Sequence, residues 1–380
     1  MCKNSEDFGL RRPAPPSFPR DSPAGRIEIV HKKCYNNRRL PGVKRRTHPG
    51  DRKERAAQKR RAWPGRNSFP RNQGLFENEK NGVYDASNKP SQQGGRTVSK
   101  KVKIVADSTC DLNSDLLERY EIETIALPVN LGDKACLDGI DVHTPDLFAY
   151  YKETGKLPTT SAPTPAYYED FYKKWTDEGF EVVHLSISGE MTVTPNIARM
   201  AAENFPDVYP VDSRNVSSGM GMLAVYAAEL RDQGLSGAEI ADKVREQSKK
   251  VRTAFVISTL LYMYKGGRCT GVQMLGANLL NLKPCIEVQD GKMGVTKKYR
   301  GNLESVVCQM ITDKLTNGEK LNPSRIMIAH YDAGDKVLAA AQKKIRELAP
   351  FQEIDINDTG CSVSVHCGPG TLGIIYMVQD

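Results

Sequence analysis

The chain has 380 residues, with 54 Lys plus Arg against 46 Asp plus Glu and a formal net charge of +8. Residues 1–100 hold 24 of the basic and 9 of the acidic groups, so they carry +15 and the remaining 280 residues carry −7. No apolar run approaches the roughly 20 residues that a transmembrane helix needs, and the N-terminus lacks the continuous apolar stretch of a signal peptide.

The nine cysteines are scattered, with no C-x-x-C pair. That argues against a disulfide framework or a zinc module and fits a reducing, cytoplasmic setting. Residues 1–100 (Arg11-Arg-Pro-Ala-Pro-Pro16, Lys59-Arg-Arg-Ala-Trp-Pro-Gly-Arg66) show no periodic apolar face, so this basic extension is expected to be disordered. A basic arm for nucleic acid or an anionic membrane and an organelle leader are weighed against a translated upstream region, which is preferred. A working protein would then begin near Val98, although no methionine lies between Met1 and Met191.

From Lys101 the pattern changes. Val102–Ala106 reads as a strand followed by Asp107-Ser108-Thr109 and a helix over Ser114–Tyr120. Glu181–Ser186 is a second strand, followed by Ser188-Gly189 and a helix near Asn196–Asn204; Val208–Asp212 is a third, followed by Ser213 and a helix over 216–231. Strands alternating with helices call for a largely parallel sheet covered on both faces, with ligands beyond the carboxyl ends of the strands. Here those ends gather hydroxyls.

After a helix at 236–250 the pattern shifts to Thr253–Thr259, a Lys265-Gly-Gly-Arg268 turn, and a hairpin whose arms Lys283–Gln289 and Met293–Lys298 flank Asp290-Gly291. Helices near 302–316 and 335–348 then alternate with strands near 325–330, 351–356, 361–367 and 372–378. The expected architecture is α/β: a first domain over 101–250 with a mostly parallel sheet, a second over 251–380 with a mixed, partly antiparallel sheet, and a ligand cleft between them.

Gly368-Pro-Gly-Thr-Leu-Gly373 matches G-x-G-x-x-G, but only seven residues follow it, too few for a dinucleotide site, so it reads as a turn between two strands. His366 ends an alternating run from Ser362 and is placed on one face of a strand. His330 reads as an ordinary strand-end residue, and Thr159–Pro165 as a loop capping the aromatic helix at Tyr167–Tyr172. A Ser188–His366–Asp107 hydrolase is an enzymatic alternative, without a G-x-S-x-G elbow to support it. Neither a Walker loop nor a protein-kinase Gly-rich loop with its lysine is present.

Seven pieces occur in family order: Ile104–Thr109, Leu157–Ser161, His184–Ser188, Val211-Asp-Ser213, Leu260–Arg268, Leu279–Pro284 with Asp290-Gly291, and His366–Gly370. Over residues 101–380 the chain resembles the DegV family of bacterial fatty-acid-binding proteins. The resemblance implies an EDD fold with one long-chain fatty acid such as palmitate between two domains, no cofactor or metal, no catalytic residue of its own, and a monomer when loaded. Thr160, Ser161, Ser188 and His366 would hold the carboxylate. The family's Ser-Ser-x-x-Ser-Gly-Thr reads Ser188-Gly189-Glu190-Met191-Thr192-Val193-Thr194 here, so Gly189 would offer a backbone N–H where a serine is usual. Asp107, Ser108, Thr192 and Arg268 would support the site.

In some members of the family the bound acid is presented to a separate fatty-acid kinase, which makes this type of protein a carrier and not an enzyme. Arg268, Lys298 and Arg300 are then expected to dock that partner. Because residues 1–100 are read as dispensable, removing residues 1–97 should leave the melting temperature unchanged, as followed by circular dichroism; lost solubility would show that the segment belongs to the working protein.

Overall fold

The computed structural model describes residues 100–270 and 282–380. The readings of the basic extension, apart from Lys100, and of Leu279–Asn281 lie outside the described residues. In chain order the first elements are β1 (Val102–Asp107), α1 (Ser114–Arg119), β2 (Glu123–Ile125), β3 (Pro128–Leu131), β4 (Lys134–Leu137), α2 (Thr144–Thr154), β5 (Thr159–Thr160), α3 (Pro165–Asp177), β6 (Glu181–Ser186), α4 (Thr194–Ala202), β7 (Val208–Asp212), α5 (Ser218–Asp232) and α6 (Gly237–Gln247). There follow β8 (Val251–Val256), α7 (Leu261–Gly266), β9 (Cys269–Thr270), β10 (Leu282–Gln289), β11 (Lys292–Arg300), α8 (Leu303–Leu315), β12 (Leu321–Tyr331), α9 (Asp335–Leu348), β13 (Glu353–Asp358), α10 (Cys361–Cys367) and β14 (Thr371–Val378).

The first sheet has strand order β2-β1-β6-β7, and every pairing is parallel. Successive side chains of β1 point to opposite faces. Ile104 joins Leu185, Val211, Leu223 and Ile240 under α5 and α6, whereas Val105 joins Val182, Tyr168, Tyr172 and Ala198 under α3 and α4. Burial on both faces explains the continuous apolar runs of these strands.

The second sheet has seven strands in the order β13-β12-β14-β8-β10-β11-β9, antiparallel except for β12 with β13 and β11 with β9. One face packs against α8 and α9 through Val306, Met310, Ile311 and Ile345. On the other face Met327, Ala329 and Ile375 share a core with α5. That helix is therefore packed against both sheets, and eleven of its fifteen residues are buried, as expected of a helix that is apolar on every side. The close approach relies on glycine: a Cβ at Gly221 would stand 2.6 Å from the Cys110 carbonyl oxygen and 2.7 Å from Leu112 Cδ2.

The hairpin is as expected, with Asp290 at φ 51° and Gly291 at φ 83° supplying the two positive φ angles of its turn. Residues 361–367 are not a strand. They form α10, so the Gly368–Gly370 turn joins a helix to β14 and not two strands. The antiparallel sheet β4-β3-β5 and helix α2 were not foreseen from the sequence.

Gly221→Ala should cost about 1–3 kcal/mol, because the added methyl group meets a backbone carbonyl that cannot move aside. A melting temperature within error of wild type would show that α5 has slack at this point.

Candidate functional site

The ends of β1, β6 and β7 open onto a cavity of about 550 Å³, within the usual range of about 300–1,000 Å³ for small-molecule sites. Thr109, Ile187 and the stretch Gly189–Thr194, with Val216 and Ser217, line one side. Thr253 and Phe255 of β8, Ala329 of β12, and Gly373 and Ile375 of β14 line the other, and Ser362, Val363 and His366 of α10 complete the enclosure.

One end is polar. Thr160 ends β5, which is held by its pairing with β3, and its Oγ1 lies 3.2 Å from His366 Nε2. With the ring proton on Nε2, His366 donates to Thr160, leaving the Thr160 hydroxyl proton to point elsewhere. Ser161 is exposed and lines the same end, beside Ala162 and Arg268. Burial, reinforced by the Arg268 charge, lowers the His366 pKa to about 4, so the imidazole is neutral at physiological pH. Its Nδ1 is enclosed against Gly266, where a Cβ would come within 2.4 Å of it.

Helix α10 carries His366 and is anchored from far away in sequence. Asp111 Oδ1 accepts from Gly360 N (2.8 Å), and the two Asp138 oxygens accept from Cys361 N and Ser362 N (2.9 Å each). Ser217 Oγ, on the cavity wall, donates to Asp111 Oδ2 at 2.5 Å. Burial raises the Asp111 pKa to about 8, against the pull of its donors Ser217 and Gly360.

The sequence-derived residues separate into three groups. Thr160, Ser161, Gly189, Thr192, Arg268 and His366 line the cavity. Ser188 does not share its lining: it is fully buried, and its hydroxyl donates to the Gly291 carbonyl at 2.7 Å. The Gly189 N–H donates to Asp212 Oδ2 at 3.1 Å, and a Cβ there would lie 2.8 Å from the same oxygen, so that N–H is already engaged. Asp107 and Ser108 form a support beneath. Asp107 accepts from Tyr168, His184 and the Ile187 amide, and Ser108 donates to Asp138.

The Ser188–His366–Asp107 triad is not assembled, because Asp107 pairs with His184, His366 with Thr160 and Ser188 with a carbonyl. Arg268 also parts from Lys298 and Arg300. Its neighbour Cys269 pairs with Met293 at the start of β11, whereas Lys298 lies five residues along that strand, about 16 Å away, and lines a separate groove with Arg300. The wall residues Ser217, Phe255 and Val363 were missed. Of these, only Ser217 carried a signal, in the strand-turn-helix run that follows Asp212.

His366 and Asp111 have opposite effects on stability. Unfolded histidine takes a proton near pH 6.5 and folded His366 only near 4, so its contribution is present above 6.5 and lost as pH falls to about 4. Asp111 binds its proton more tightly when folded, so its contribution is lost as pH rises towards 8. Asp111→Asn, which keeps an oxygen acceptor, should therefore gain stability over wild type progressively from pH 5 to pH 8 in urea melts. A constant difference across that range would refute a protonated Asp111.

A family model described as "uncharacterised protein, DegV family" matches residues 101–379. A DegV domain-containing protein of Clostridium acetobutylicum is 32% identical over 281 residues, 73% of this chain and 98% of that protein. A fatty acid-binding protein of Thermotoga maritima is 30% identical over 282 residues, 72% of this chain and 96% of its own length. The solved structure of a DegV family protein from Thermus thermophilus, described for its fatty acid binding, has 30% identity and a TM-score of 0.66, covering 73% of this chain and 100% of that one. With the family's sequence pattern and fold both present over residues 101–379, the chain belongs to the DegV family.

Proposed function

We propose that this protein binds a long-chain fatty acid such as palmitate in the cavity and presents its carboxylate to a separate fatty-acid kinase, which would form an acyl phosphate for phospholipid synthesis. The observation that carries this reading is a cavity that sets a cluster of hydrogen-bonding and charged groups beside a set of large apolar side chains. Thr160, Ser161, Arg268 and His366 form the polar cluster, and Val216, Phe255, Met293, Val363 and Ile375 supply apolar surface among the other lining residues, which also include Thr109, Ser217 and Thr253. The fatty-acid binding of the Thermotoga and Thermus relatives supports it.

Burial of about 15 methylenes at about 0.8 kcal/mol each contributes roughly 12 kcal/mol before the costs of association. Hydroxyl groups and a guanidinium then replace the water lost by the carboxylate. The arginine was expected only as support and for docking; in this reading it faces the head group. Exposure of Ser161 and Arg268 leaves a carboxylate oxygen within reach of a partner that carries the phosphoryl donor. The chain positions the nucleophile and is the carrier, not the catalyst. Residues 101–250 and 251–380 act as the two domains that hold the ligand, and Lys298 and Arg300 remain the docking candidates.

Lipid extraction and mass spectrometry of the purified chain should yield close to one fatty acid per chain. Thr160→Ala or Ser161→Ala should weaken binding by about 1.5–3 kcal/mol, the worth of a hydrogen bond to a charged group. Arg300→Ala should keep the fatty acid and slow acyl-phosphate formation with a fatty-acid kinase, most clearly at low salt. A chain that neither carries nor takes up fatty acid would overturn the proposal.

A further inference from the structure

We infer that the Asp290–Gly291 turn is a clasp that holds one wall of the cavity closed, and that Ser188 acts through it as a positioning residue setting how fast a ligand enters and leaves. The inference rests on the fatty-acid reading for the identity of the ligand, but not for the existence of the clasp.

Residues Gly189–Thr194 all line the cavity, and within them Val193 is 59% exposed, so this stretch forms both a wall and part of the mouth. Its base is fixed to the parallel sheet: Ser188 N donates to the Asn215 carbonyl (2.9 Å) and Gly189 N to Asp212 (3.1 Å). Its other attachments cross to the hairpin of the seven-stranded sheet. Ser188 Oγ donates to the Gly291 carbonyl (2.7 Å), and Lys292 Nζ lies 3.3 Å from Glu190 Oε2. On the adjoining loop Arg214 donates to the Asp290 carbonyl (2.7 Å). Three consecutive residues of one turn thus grip the wall and the loop beside it, closing a seam between the two sheets.

The turn is shaped for that approach. Gly291 sits at φ +83°, and a Cβ there would lie 2.7 Å from Ser188 Oγ and 3.1 Å from Glu190 Cγ. The contacts are unequal. Ser188 is fully buried, so without its hydroxyl the Gly291 carbonyl loses its buried donor. Lys292 and Glu190 are 62% and 42% exposed, so their ion pair is a weaker, salt-screened trim.

A long acyl chain can pass an enclosed wall only when that wall moves, and destabilising the closed state speeds both passage in and passage out. A head-group contact behaves differently, because losing it speeds exit alone.

The test is stopped-flow exchange of a fluorescent long-chain fatty acid on the full chain, with hydrogen exchange of the amides of 189–194 measured on ligand-free protein. Ser188→Ala should raise the association and dissociation rates together, each by about tenfold, the effect of losing one buried hydrogen bond, and should speed amide exchange in 189–194. Thr160→Ala should raise dissociation alone. Glu190→Lys and Lys292→Glu should each speed exchange about two- to fivefold at low salt, with the double swap Glu190→Lys/Lys292→Glu restoring the wild-type rates. If Ser188→Ala raised dissociation alone, the residue would belong to the head-group site. If it changed neither the rates nor amide exchange, or if the swap restored nothing, the clasp would be refuted. A wild-type chain that takes up no fatty acid would defeat the functional reading, with amide exchange in Ser188→Ala still deciding the clasp.

Discussion

Two aspartate side chains hold the start of a seven-residue helix, and the polar cluster of the cavity depends on that hold. The helix Cys361–Cys367 is too short and too rich in β-branched residues and serine to form by itself. Its first amides would be left without partners in a buried place, at a cost comparable to several lost hydrogen bonds. Asp111 and Asp138 accept from three consecutive amides, Gly360 to Ser362, so the first-turn N–H groups that the helix itself cannot pair are satisfied. His366, one turn further on, is thereby held against Thr160 from the β5 edge, and Gly266 lets α7 close over the ring.

The same logic extends beneath the cavity. Asp107 ends β1 inside the protein and is surrounded by donors: the Tyr168 hydroxyl from α3, the His184 ring from β6 and the amide of Ile187. Buried this way, it is a fastening that fixes where the β6 end begins, and not a reagent. Ser108 continues the chain of contacts to Asp138, so the β1 end, the β6 end and the start of α10 are tied through adjacent residues. Helix α5 fills the space between the sheets, and Ser217 just before it returns a hydroxyl to Asp111. The wall facing the ligand is thus the accessible edge of one buried polar network.

Ser188 and Gly189 show that a motif's position in the fold does not by itself say which partners its polar groups take. The Ser-Gly pair does lie at the end of a parallel strand, where α/β sheets gather ligands. The Gly291 carbonyl and the Asp212 carboxylate, however, take up the hydroxyl and the amide that the pattern offered to a carboxylate. Arg268 differs in the opposite sense, because a charge after two glycines reads as a surface residue, yet the short β9–β11 pairing carries it to the cavity rim.

By itself the sequence determined the local, periodic features. Continuous apolar runs specified the buried parallel strands, helical spacing specified α5 and α6, and Asp290-Gly291 specified the hairpin, because each depends on neighbours within a few residues. The resemblance to the DegV family grouped Thr160, Ser161 and His366, and the three line one cavity. Only the tertiary structure decided that residues 361–367 are a helix, since the alternation of Ser362, Val363, Ser364 and Val365 favours a strand until Asp111 and Asp138, more than two hundred residues earlier, satisfy its amides. Only the tertiary structure likewise decided which hydroxyls face the cavity, because a serine at a strand end donates to whichever acceptor the opposite sheet brings within about 3 Å.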